Sequence, residues 1–263
     1  MKPLRLLVVL VGLVSTASTL FAQSTCSSDG QRPPTQVQER FINADCAACW
    51  SQQPPALPAG SLALDWITPG ALGEAAPLSI AATSDALARL GALGRSLPPA
   101  TDSVAHALSL PAQHALHGAR LRVAHGLPFS SHSGGYVGAS MALLLPVNSR
   151  NPLAGRDIGA LKATLALVET IPAGVDGTPV ERNLVRNSVE TVWDGRVVHP
   201  ILAQPRRSGS EAQGGRREPG AQFYASQVMS IPEGARPERL RVVGWVEDAS
   251  ASWLLAAQTR CKP

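Results

Sequence analysis

From Val137 onward the apolar side chains fall on every second residue: Val137, Ala139, Met141, Leu143, Leu145 and Val147 share one face of the chain. A period of two is a strand pattern and cannot form the apolar stripe of a helix. The same period appears before and after this run. Leu121 and Val123 alternate with Arg120 and Arg122, and the loop Pro128–Gly135 between the two runs marks a hairpin. Leu161, Ala163, Leu165, Leu167 and Ile171 alternate again, with Asp176-Gly177 as turn residues. Leu184–Trp193, Arg196–Leu202, Phe223–Ile231, Leu240–Glu247 and Ser252–Gln258 are further strand-like runs, with Gln204–Ala221 an exposed loop by composition. Roughly seven or eight strands separated by turns predict an antiparallel sandwich over residues 119–263. With 23 glycines, 22 prolines and 4% aromatics, the chain is suited to short elements and many turns.

The first half reads differently. A polar lead over residues 23–36 precedes a short strand, Val37–Ala44, which runs into Cys46-Ala47-Ala48-Cys49. Pro54, Pro55 and Pro58 restrict any helix after the cysteines to one or two turns. Leu62–Ile67 is a buried-strand pattern, and Leu78–Ala82 a second. Thr83 or Ser84 caps a helix bearing Leu87, Leu90 and Leu93 on one face, and a short helix is predicted from Thr101 or Asp102 to about Leu110.

Residues 1–22 have the layout of a secretory signal: Lys2 and Arg5, then the apolar run Leu6–Val14, then an exit near Ala22. That run is too short to span a bilayer, so no integral membrane segment is expected after cleavage. The formal charge of +4 falls to +2 without Lys2 and Arg5, which gives no case for nucleic acid as a partner. The expected location is periplasmic or secreted. In such an oxidising compartment the even set Cys26, Cys46, Cys49 and Cys261 is expected to pair. Three pairings are possible. The C-x-x-C spacing closes easily, which leaves Cys26 with Cys261.

Val37–Trp50, with Glu39-Arg40-Phe41 ahead of the C-x-x-C pair, resembles the opening of a bacterial family of secreted proteins of unknown function. Leu62–Ile67 resembles that family's second strand, Glu181–Val189 its Asn and Val-Arg segment, and Arg239–Ala257 its closing hairpin. The resemblance implies a thioredoxin-like first half and a β-rich second half. The fold expected is therefore α+β: a signal at 1–22, a reduced thioredoxin-like part at 23–118, and a β-sandwich-like part at 119–263. The family's Thr-Pro-Gln segment is missing. Thr68-Pro69 has the right chemistry but the wrong place in the element order.

Two functions compete. In one, Cys46 attacks and Cys49 resolves, exchanging disulfides with an unknown exported thiol or disulfide partner. Asp45 opposes a thiolate at Cys46, and Ala47-Ala48 add nothing to tune it. In the other, the protein is a non-enzymatic binding or structural module with every cysteine in a stabilising bridge. No cofactor or metal is expected. The C-x-x-C pair lacks two further ligands at zinc-site spacing, and Trp50 occupies the haem-attachment His position. His106, His114, His117 and His125 read as scattered polar surface. Ser130-Ser131-His132-Ser133 and Gly138–Ala142 lack the geometry of a nucleophile. Arg206-Arg207 and Arg216-Arg217 read as loop charge, and Trp193, Trp245 and Trp253 as core.

Overall fold

A computed structural model describes residues 26–109, 118–131, 134–144, 160–193 and 222–261. Residues 1–22, expected to be a secretory signal, together with His114, His117, His132, Arg196–Leu202 and the paired arginines after 204, lie outside these residues.

In chain order the strands are β1 Cys26–Ser27, β2 Gln36–Asn43, β3 Ser61–Thr68, β4 Ser103–Ser109, β5 Arg120–His125, β6 Phe129–Ser131 and β7 Gly134–Leu144. They continue as β8 Leu161–Ile171, β9 Arg182–Trp193, β10 Gln222–Ile231, β11 Leu240–Glu247, β12 Trp253–Gln258 and β13 Arg260–Cys261. Among the described residues two α-helices accompany them: α1 Ala47–Ser51 and α2 Ser84–Ala92. One sheet has the order β10-β7-β5-β1-β13, with β6 on β7. The other has the order β12-β11-β8-β9-β3-β2-β4.

The α+β expectation is overturned. The described chain is mostly strand, and its N-terminal residues do not form a thioredoxin-like unit around helices. The prolines after Ser51 hold α1 to five residues. The strands β2, β3 and β4 then join β8, β9 and β11 in one sheet instead of closing a fold of their own. One local feature of a β-α-β unit survives, because β2 and β3 are parallel along eight register pairs and α1 lies between them in sequence. The helix predicted near residues 102–110 is instead β4, which pairs antiparallel with β2. Leu78–Ala82 forms a 3-10 turn over Ser79–Ala81, and only Ala82 bridges to Ile67.

The sheets face each other across Val123, Val137, Met141 and Leu143 on one side and Leu165, Leu167, Val242 and Val246 on the other. They approach so closely at Gly244 that a Cβ there would lie 2.7 Å from Val123 Cγ2. The longer sheet is also covered on its far face, where Phe41, Leu64, Trp66, Val243 and Trp245 pack with Ala86 and Leu90 of α2. Burial on both faces explains why β8 and β11 are buried almost throughout, while β7 alternates cleanly.

Thr83 caps α2, its Oγ1 accepting from the Ala86 amide at 3.2 Å. The inward face of α2 carries Ala86, Arg89 and Leu90, with Leu87 turned out. Arg89 is buried between two carboxylates: its Nη2 lies 2.7 Å from Glu39 and 2.6 Å from Glu247. Its Cζ also sits 5.7 Å from the ring centroids of both Trp245 and Trp253, which stack at 4.5 Å. Burial alone would push Arg89 towards neutrality, but hydrogen bonds and charge from Glu39 and Glu247 hold its pKa above the ordinary value. The clamp ties α2 to β2 and β11.

Candidate functional site

The C-x-x-C pair follows β2 directly. The Cys46 amide donates to Asn43 O at 2.9 Å, and Cys46 is the N-cap of α1. Cys46 and Cys49 are joined as a disulfide, and the Cys49 amide donates to Cys46 Sγ at 3.2 Å. Both cysteines are buried, at 3% and 2% exposure, in a cluster with Ile42, Ala44, Ile67 and Leu184. Trp50 covers that cluster, with its Nε1 donating to Asp176 O at 2.8 Å. The Arg182 guanidinium lies over the Trp50 ring and donates from Nη2 to the carbonyls of Trp50 and Gln52.

Asp45 has a structural role. Its carboxylate accepts from the Ala71 amide at 2.8 Å and the Leu72 amide at 3.3 Å, pinning the cysteine turn to the loop after β3. Gly70 is required for this approach, because a Cβ at that position would collide with the Asp45 carboxylate. Thr68 lies beside the turn, its carbonyl accepting from the Ala44 amide at 2.9 Å. All peptide bonds among the described residues are trans, that before Pro69 included.

The second disulfide joins Cys26 to Cys261 across β1 and β13. On the other side of β1, Cys26 pairs with His125 of β5. Directly paired residues in a sheet share a face, so His125, Cys26 and Cys261 form one row across three strands. Cys26 is 1% and His125 2% exposed, whereas Cys261 is exposed. The His125 Nδ1 lies 2.7 Å from Gly126 O, so Nδ1 carries the proton and Nε2 a lone pair. Burial pushes the His125 pKa down, with the Gly126 carbonyl opposing. His125 is thus a core residue and not the polar surface expected. His106 is half-buried on β4, with Nδ1 3.2 Å from Arg95 Nη2.

A cavity of about 400 Å3 opens where β5 meets β12, beside the loop after β1. Leu121 and Leu255 give it apolar walls, and Arg32, Arg120 and Arg122 bring positive charge. Arg122 is bound in bidentate fashion by Asp29, at 2.7 Å for the closest contact. Arg32 and Arg120 have no ion-pair partner among the described residues.

The four cysteines were legible as a set, but the company they keep was not. Glu39, Arg89, Glu247 and His125 are spread along the chain, and only strand register and helix packing bring them inside. One available clue was the spacing of Ala86, Leu90 and Leu93, which places Arg89 within the apolar stripe.

Comparisons of the chain with family models, with curated proteins and with solved structures find no match.

Proposed function

We propose that the protein is an exported, non-enzymatic binding module whose disulfides stabilise it and whose ligand site is the cavity between β5 and β12. The observation that carries this reading is the burial of Cys46 and Cys49. An attacking thiolate needs access, and this pair is 3% and 2% exposed in an apolar cluster that includes Trp50, with the Asp45 carboxylate next in sequence. The export part rests on the layout of residues 1–22. It is compatible with two disulfides and with the lack, among the described residues, of a helix long and apolar enough to cross a membrane.

The cavity suits a small amphiphilic anion. Its volume is in the range of small-molecule sites, three arginines face one aspartate, and the leucine walls accept an apolar body. Calorimetric titration with medium-chain alkyl carboxylates and alkyl sulfates tests this, with Arg120→Gln expected to weaken binding at least about tenfold. An insulin-reduction assay tests the competing function. The expected result is no catalysis. Catalysis that disappears in Cys46→Ser/Cys49→Ser would restore thiol–disulfide exchange with an exported partner.

A further inference from the structure

We propose that the row His125–Cys26–Cys261 is a reduction-gated metal site that takes a thiophilic d10 cation, with Zn2+ as the probe. Three observations converge on it. First, the register makes the three residues neighbours on one face of β5, β1 and β13. Second, a ring nitrogen of His125 and the two sulfurs lie within 4.8 Å of one another. Third, the buried His125 Nε2 has no hydrogen-bond partner, while Nδ1 is engaged by a backbone carbonyl. That arrangement is the one in which a metal-binding histidine is held, with one ring N–H donating to an outer acceptor and the other nitrogen aimed inward. A buried lone pair without a donor is otherwise a cost with no return.

The disulfide and the metal site are alternatives. A dithiol reductant delivers two electrons and two protons, leaves as its own disulfide, and converts the Cys26–Cys261 bond into two thiols. Metal binding then releases both thiol protons to solvent and places two thiolates and Nε2 on the ion. Tetrahedral zinc geometry asks for sulfurs about 3.8 Å apart and sulfur to nitrogen about 3.6 Å. The sulfurs therefore separate by about 1.8 Å on leaving the disulfide, and the imidazole, already within 4.8 Å, closes in by at most about 1.2 Å. The fourth position is left to water or an external ligand. Two thiolates with one imidazole form a soft set that favours such a cation over magnesium or calcium.

The test uses the mature protein reduced by a phosphine, titrated with Co2+ as a spectroscopic stand-in and then with Zn2+. The expected result is one ion per chain with thiolate-to-cobalt charge transfer, a higher melting temperature for the reduced protein, and protection of Cys26 and Cys261 from alkylation. His125→Gln is expected to weaken binding by more than about tenfold, since loss of an outer-sphere partner alone costs about that much. Cys46→Ser/Cys49→Ser is expected to bind as the parent does. Binding that survives His125→Gln unchanged, binding that vanishes with Cys46 and Cys49, or a reduced chain that saturating zinc does not protect would each overturn the proposal.

Discussion

The two disulfides differ in almost every physical respect. Cys46–Cys49 closes a three-residue separation inside an apolar cluster, whereas Cys26–Cys261 closes a separation of 235 and has one exposed end. In the chain-entropy account the short loop is worth about 2 kcal/mol and the long one about 5 kcal/mol. The short bridge is locked in by Trp50, Arg182 and Asp45. The long one lies across β1 and β13, each of two residues, with a histidine at its side. A C-x-x-C spacing draws attention to the more deeply buried pair, while the pair formed by the remaining cysteines has one exposed end and a histidine paired beside it.

The largest expected effect separates the bridges by stability. Cys26→Ser/Cys261→Ser is expected to lose about 5 kcal/mol in urea denaturation and Cys46→Ser/Cys49→Ser about 2 kcal/mol plus a repacking cost. Equal losses would break the comparison. Next, Gly70→Ala displaces the Asp45 carboxylate from the Ala71 and Leu72 amides, for an expected loss of about 1–3 kcal/mol. Asp45→Ala on its own is expected to lose about 1–2 kcal/mol, and the two changes combined should cost less than their sum because they remove one interaction. Additive losses would show that Asp45 does not secure the cysteine turn through this contact.

The smallest effect concerns pH. The folded pKa of His125 lies below its ordinary 6.5, so the histidine contributes stability that is present above 6.5 and lost as pH falls through the folded value. His125→Gln cannot titrate. The stability gap between parent and variant is therefore expected to narrow on acidification, measured by denaturation at fixed ionic strength. A gap that widens below pH 6.5 would contradict a buried neutral imidazole beside Cys26.

Local periodicity carried the second half of the chain. Val137, Ala139, Met141 and Leu143 alternate because β7 has one covered face, and they are buried as their spacing predicts. Thr83 was legible as a cap for the same local reason. The failures came where distant partners decided the outcome. Ser103–Ser109 looks helical in isolation but lies along β2, whose backbone groups offer it a full ladder. Leu87 shares helical spacing with Leu90, yet α2 turns Arg89 inward because Glu39 and Glu247 await it there. The thioredoxin-like expectation failed for a related reason. The β2–α1–β3 segment has the local pattern of that fold, but its edges are taken by β4 and β9. At the site, the cysteine pairing followed from spacing and number, whereas His125 became visible only through strand register.

The most direct test of the central contrast is the rate at which each bridge opens in the native protein. Folded oxidised protein would be exposed briefly to a dithiol at a series of times, quenched with an alkylating agent, and each cysteine quantified by mass. The expected result is that Cys26 and Cys261 become labelled first, with Cys46 and Cys49 following only at the rate of global unfolding. Labelling of Cys46 and Cys49 ahead of the terminal pair, in protein that remains folded, would contradict the account.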